Sequence, residues 1–267
     1  MIETQNFNAS TAMRKLTITT LFLAVWLSSC THYYYVANVQ NVPLFREKNE
    51  FRLSGAYGFG DYSNCAEVQA AYSLTKNIGI MTNFMSAKGG HVSDSTNWGK
   101  GSYFEGAIGY YKPLGKYSVF EIYGGLGGGN QHHQYAITEY FPRNITFYCG
   151  TSALSFTKLF VQPSFGLAFK GFDVAFSTRL CSLSFNNINN QINSQTDESE
   201  YDNLNSIAHN KRYMFLEPAL TIRGGWKNVK VQFQAAAANV FDKQDLFFVE
   251  QPHISIGLYI AIAERYK

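Results

Sequence analysis

From Leu159 to Leu180 the chain twice alternates bulky apolar residues with small or polar ones, around a turn at Lys170 and Gly171. Leu159, Val161, Phe165, Leu167 and Phe169 share one parity, and Gln162, Ser164, Gly166 and Ala168 the other. Past the turn, Phe172, Val174, Phe176 and Leu180 oppose Asp173, Ala175, Ser177 and Arg179. A period of two marks a strand with unlike faces, so the stretch reads as a β-hairpin. The same pattern predicts further strands at about Glu50–Gly58, Ala66–Leu74, Ile78–Ser86, Ser102–Tyr111 and Tyr117–Gly128 before the hairpin. After it come Tyr213–Arg223, Val229–Ala237 and His253–Ala263.

The connections alternate in length. Those at Thr75–Asn77, Pro113–Gly115, Lys170–Gly171 and Gly224–Trp226 are very short, whereas residues 87–101, 129–153 and 186–212 read as long loops, the last rich in Asn, Gln, Ser and acid and expected to be mobile and solvated. A closed barrel with short turns at one end has this asymmetry. Pro163 and Pro218 fall inside strands and predict a bulge or a local break, since a closed ladder needs the missing amide.

The polar face decides which kind of barrel. A water-soluble barrel turns bulky apolar side chains inward and long polar ones to solvent, whereas a small transmembrane barrel turns Phe, Leu and Val outward and crowds Gly, Ala, Ser and a few charges inside. Here the face opposite the bulky residues is rich in Gly, Ala and Ser. The expected fold is all-β: a single antiparallel up-and-down transmembrane barrel over residues 50–267, of about ten strands, with eight or twelve as alternatives. The 18 Tyr and 22 Phe suit aromatic girdles at two membrane interfaces. A net charge of +3, without a basic stripe, argues against a nucleic-acid partner. No apolar run approaches the roughly 18 residues a spanning helix needs, so only strands would cross a bilayer.

Ahead of the strands, Arg14 and Lys15 precede an apolar run from Leu16 to Leu27, the layout of a secretory signal peptide over residues 1–29, with Met13 as an alternative start. Leu27, Ser28, Ser29 and Cys30 resemble a bacterial lipobox, which implies cleavage before Cys30 and acylation of that cysteine, each buried methylene being worth about 0.8 kcal/mol of anchoring. This covalent lipid is the one cofactor-like group expected. Thr31 at the following position resembles the sorting signal of lipoproteins sent to the outer membrane. Tyr33, Tyr34 and Tyr35 would suit the headgroup level, and residues 30–49, with Pro43, read as a periplasmic tether.

In the last strand Ser255, Gly257, Ile260 and Ile262 fit the pattern that resembles the assembly signal of outer-membrane barrels, although the chain runs on through Arg265, Tyr266 and Lys267 rather than ending on an aromatic. With the lipobox and the loop asymmetry, the chain after Cys30 resembles small bacterial outer-membrane barrels of the OmpA/OmpX-like class. The resemblance implies an outer-membrane location with long loops outside, outer-membrane lipid and the barrel-assembly machinery as partners, and further protein partners in the envelope.

Glu67, Glu105, Glu121, Asp173 and Glu217, with Arg179, Arg223 and Lys230, take inward parity and would form a charged network in the lumen, paired because isolated buried charge is costly. That network reads as a structural plug, with a narrow selective pore as the alternative. Cys149 and Cys181 are candidates for a disulfide in an oxidising compartment, leaving Cys65 over. His132 and His133 lack the spacing of a metal motif and read as a solvated loop, so no metal is expected. The run Gly124–Gly129 lacks the strand-to-helix setting of a phosphate loop and marks close backbone approach. His91, Asp94, His209 and Asp242 fall in loops where an Asp/His hydrolase could be assembled, but no hydrolase serine motif accompanies them. Asn144–Thr146 spells a glycosylation sequon with no modification expected in a bacterial protein. The expected role is a lipid-anchored barrel with a mostly filled lumen, structural or interacting rather than enzymatic. The alternatives are a narrow channel or transporter, a rim hydrolase acting on lipid or peptide, and a soluble lipoprotein barrel holding an apolar ligand.

Overall fold

The computed structural model describes residues 33–60, 62–90, 97–139, 145–195, 197–241, 249–250 and 252–264. Residues 1–29, expected as a signal peptide, and Cys30, His91, Asp94, Asn144 and Asp242 lie outside them. Ten strands form one antiparallel sheet: β1 (Phe51–Phe59), β2 (Ser63–Ser73), β3 (Ile78–Gly90), β4 (Trp98–Leu114), β5 (Ser118–Glu139), β6 (Ile145–Ala168), β7 (Phe172–Asn190), β8 (Arg212–Gly225), β9 (Val229–Ala236) and β10 (His253–Ile262). Each pairs with the next, and β10 returns to β1 with Ile262 opposite Phe51, so the sheet is a closed barrel. Closure leaves no edge strand to be covered.

Of the bulge or local break expected at the prolines, the structure has the break. The β6–β7 ladder drops its pairs at Gln162 and Pro163 but resumes in the same register, Val161 facing Leu180 and Ser164 facing Ser177. Pro163 therefore breaks the ladder without a bulge. Pro218 stays paired with Thr178 on β7, while towards β9 the ladder stops at Ala219 and only the Pro218 carbonyl is used, by the Ala237 amide. The register shifts lie instead at Tyr135/Ala136 and Ser155/Phe156.

The long loops are also shorter than expected. Strands β5 and β6 run to Glu139 and from Ile145, across most of residues 129–153, and residues 186–212 contain helix α1 (Glu198–His209) rather than a solvated coil. Asp197 caps that helix by accepting from the Glu200 amide, and Leu204 and Ile207 are fully buried under it. The outward apolar row is interrupted here by Thr151, Ser155 and Thr157 on β6 and by Ser182, Ser184 and Asn186 on β7, which is why these stretches resemble loops in sequence, although Ile137, Ile145, Phe147 and Tyr148 beyond them are exposed.

The change of row divides the barrel into two sections. Towards the short turns, the outward positions of β6 and β7 are Leu159, Val161, Phe165, Phe172, Phe176 and Leu180, all exposed, while Lys158, Gln162, Ser164, Asp173, Ser177 and Arg179 face in and are buried. Towards the long loops the same strands reverse the rule. Leu154, Phe156, Leu183 and Phe185 are buried inside, and Thr157, Ser182, Ser184 and Asn186 turn out. The upper section is thus built like a water-soluble barrel and the lower like a barrel in hydrocarbon.

Candidate functional site: a lumen threaded by the chain's own N-terminus

Residues 34–45 lie inside the barrel. Every one of them except Val36 is buried, so the expectation of a periplasmic tether over residues 30–49 fails for this stretch. The segment begins at the long-loop end, where the Tyr33 ring meets Tyr62 between β1 and β2, and finishes at the short-turn end, where Arg46 donates to the Gly115 carbonyl at 2.7 Å. Positive φ at Leu44 (53°) and Asn49 (64°) then reverses the chain into β1; for Leu44 that conformation is strained, and the packing of the turn holds it.

Tyr35–Val36 pairs in parallel with Val249–Glu250, but from Ala37 onward the extended segment must have its backbone groups satisfied without a ladder. Wall side chains take that role. The Val39 amide donates to both Glu67 oxygens at 3.0 and 2.9 Å, and its carbonyl accepts from Gln69 Nε2 at 2.7 Å. The Gln40 amide and carbonyl are both held by the Gln234 carboxamide, at 2.7 and 2.9 Å. Gln162 donates to the Asn41 carbonyl, Arg223 to that of Val42 at 2.8 Å, and Arg52 and Tyr259 to that of Pro43. The Phe45 amide ends the series on Glu121 at 3.0 Å.

Charge concentrates around the middle of the segment. Arg179 meets Glu105 at 3.1 Å and Glu217 at 3.7 Å, donates to Asn38 Oδ1 at 2.9 Å and lies over the Phe160 ring. Glu105 also accepts from Asn38, Asn83 and Tyr103, and Glu217 accepts from the Tyr35 hydroxyl and from Lys158 at 3.1 Å. Nearer the short turns, Lys230 pairs with Asp173 at 2.7 Å. All eight lumen charges named from the sequence are buried on the inner wall, and five of them (Glu67, Glu105, Glu121, Arg179 and Arg223) hold residues 38–45 directly, while Glu217 holds Tyr35. Glu105, Asp173, Arg179, Glu217 and Lys230 are tolerated there in ion pairs, while Glu67, Glu121 and Arg223 are held by hydrogen bonds.

Several partners escaped the sequence reading. Lys158 has the inward parity of Gln162 and was legible as such; Glu200 was not, because it reaches Tyr34, at 2.5 Å, from a helix taken for loop. The N-terminal segment itself gives no periodic signal. What it carries is Asn38, Gln40 and Asn41, side chains that both donate and accept.

Cys149 and Cys181 are free and buried, as is Cys65. Phe160 sits opposite Cys181 in the β6–β7 register, which leaves Cys149 about eleven residues further along β6, roughly 35 Å at about 3.3 Å per residue. No bridge forms over that span. His132 packs on Trp98 on the wall, and His133 is buried beside Tyr34, with Nε2 3.2 Å from Gln131 Oε1, so neither lies in a solvated loop. His209 closes α1. In β10, Ser255 faces the lumen, Ile260 and Ile262 face out, and Gly257 sits so close to Gly55 and Ala56 that a Cβ would meet backbone at 2.2 Å.

No family model matches the sequence, and no curated protein does. Among solved structures, the chain is similar to the translocator domain of autotransporter NalP from Neisseria meningitidis (6% identity, 97% of each chain covered, TM-score 0.47). It is also similar to outer membrane protease OmpT from Escherichia coli (9% identity, 84% of this chain and 99% of that one, TM-score 0.42) and to Ail, the attachment invasion locus protein of Yersinia pestis (11% identity, 80% and 99%, TM-score 0.31). The class the fold defines is a closed ten-stranded antiparallel barrel with an apolar outer band and a polar, internally threaded lumen.

Proposed function

We propose that the protein is a lipid-anchored outer-membrane barrel, sealed by its own N-terminal segment, that serves as a structural and interaction component of a larger envelope complex rather than as a channel or an enzyme. The threading of residues 34–45 carries this reading, because a segment whose amides and carbonyls are held by wall side chains occupies the space that a water path would need. The outward rows of Phe, Leu, Ile and Val suit lipid, and the long-loop end, with its capping helix and the exposed Ile137, Ile145, Phe147 and Tyr148, suits protein partners. Short turns in such barrels face the periplasm. Tyr33 enters at the other end, so a lipid on Cys30, three peptide units upstream and within about 11 Å of chain reach, would be tied to the long-loop end.

Planar-bilayer recording tests the seal. The intact protein is expected to give no open-state conductance, and a variant lacking residues 33–45 that still shows heat-modifiable gel mobility is expected to conduct. Steady conductance by the intact protein would replace this reading with the narrow channel. Mass spectrometry of the mature N-terminus tests the anchor, with acyl mass expected on Cys30 and none in Cys30→Ala.

A further inference from the structure

We infer that Cys65, Glu67 and His253 form a binding site for a divalent transition-metal ion of the zinc class on the inner wall of the barrel. Their donor atoms lie within 4.8 Å of one another, with Cys65 Sγ 3.1 Å from His253 Nε2 and 3.4 Å from Glu67 Oε1, and all three residues are buried. Cys65 and Glu67 are successive inward positions of β2, and His253 begins β10. Strand β1 runs between them. What lets the thiol and the imidazole meet across it is Gly58, where a Cβ would lie 2.3 Å from His253 Nε2 and 2.5 Å from Cys65 Sγ. The wall is hollowed at the point where two metal-ligating atoms converge.

The donor set has the chemistry of a three-ligand zinc site with an open fourth position: one thiolate, one neutral imidazole, one carboxylate. Tetrahedral bond lengths of about 2.3 Å to sulfur and 2.1 Å to nitrogen need an S···N edge of roughly 3.6 Å, so the two side chains part by about half an ångström on loading. Charge favours occupation. Among the described residues, eight buried carboxylates face five buried Lys and Arg, and Glu67 has no Lys or Arg within the 4.0 Å of an ion pair. Binding releases the Cys65 proton to solvent, after which thiolate and carboxylate neutralise the ion.

The site also touches the threaded segment. Both Glu67 oxygens now hold the Val39 amide; with Oε1 on the metal, Oε2 keeps that bond and becomes the outer contact that orients the ligand. The ion would thereby join β10, β2 and residue 39. A cavity at the long-loop end, bordered by Tyr33, Tyr62 and Tyr103, comes as near as Ser63, the next inward residue above Cys65, and Ala87, the residue opposite Cys65 on β3.

The test uses the full chain, folded in detergent, treated with chelator and titrated with Co2+. One equivalent is expected to bind with a sulfur-to-cobalt charge-transfer absorption, displaced by Zn2+. That absorption is expected to vanish in Cys65→Ser and persist when Cys30, Cys149 and Cys181 are all replaced by Ser. His253→Gln and Gly58→Ala are expected to weaken binding at least tenfold, heat-modifiable mobility reporting that each variant is folded. Absence of the charge-transfer absorption in the wild type, or its survival in Cys65→Ser, overturns the assignment; the wild-type titration decides alone if a variant does not fold.

Discussion

The two sections of the barrel share strands, register and hydrogen-bonded ladders, yet obey opposite rules of side-chain placement. On β8, Tyr213 and Phe215 face inward in the upper section, and Glu217, Thr221 and Arg223 face inward in the lower. The backbone is indifferent to the exchange, since its polar groups are paired around the closed sheet in both sections. What differs is the medium outside and the filling inside. Where the outward row is Thr157, Ser182, Ser184 and Asn186, the interior is an apolar core of Leu154, Phe156, Leu183 and Phe185 that Leu204 and Ile207 of α1 complete. Where the outer face is apolar, the interior holds a strand-like segment whose exposed amides and carbonyls demand polar partners, and the wall supplies Glu, Gln and Arg.

The most severe way to break the lower section is to remove one partner of its buried ion network. Arg179→Ala strands Glu105 and deprives Asn38 and Gln162 of their donor; a cost of about 3–5 kcal/mol is expected, because an uncompensated charge stays behind in the lumen. Phe185→Leu, on the same strand in the upper section, keeps an apolar filling and is expected to cost less than about 1.5 kcal/mol. Urea unfolding of both variants in lipid vesicles measures the difference. Equal costs would mean that the two interiors are held by the same forces.

The outer face offers a matched pair. Leu159 and Thr157 are successive outward residues of β6 on either side of the change of rule. Leu159→Arg is expected to destabilise by about 2–4 kcal/mol in vesicles, as for a cation placed towards the middle of the bilayer, and Thr157→Arg by no more than about 0.5 kcal/mol. If the two variants lose the same amount, the boundary of the apolar band does not lie between these residues.

The same boundary explains what could be read from the residues alone. In the lower section, lipid-compatible and lumen positions differ in size and polarity at every step, so the alternation of Leu159–Leu180 and the ten strands were legible. On β7 above it the outward row becomes Ser182, Ser184 and Asn186, residues that also favour turns, so its upper end resembled a loop. Residues 34–45 were illegible for a different reason. Beyond the short pairing at Tyr35–Val36, their partners are side chains on all ten strands rather than one neighbouring ladder, and no local period records them. The charged lumen residues could be named by parity, but that they hold a segment of the same chain depends on long-range contacts such as Gln40 with Gln234.

The mildest expected effect falls at Pro163, which separates the effect of the ladder from that of the side chains. Its neighbours Val161 and Phe165 continue the exposed outward row, and Gln162 beside it still reaches Arg179 and Asn41. The only loss is the pairing of Gln162 and Pro163 with β7. Pro163→Ala returns an amide hydrogen to that gap, so a gain of about 0.5–1.5 kcal/mol is expected, with slower hydrogen exchange at residues 162–164 and 177–179 and no change in register. A loss of stability would show instead that the break is used: that the relaxed backbone at Gln162 lets its carboxamide serve both the Arg179 guanidinium and the Asn41 carbonyl, and that closing the ladder pulls it away from the threaded segment.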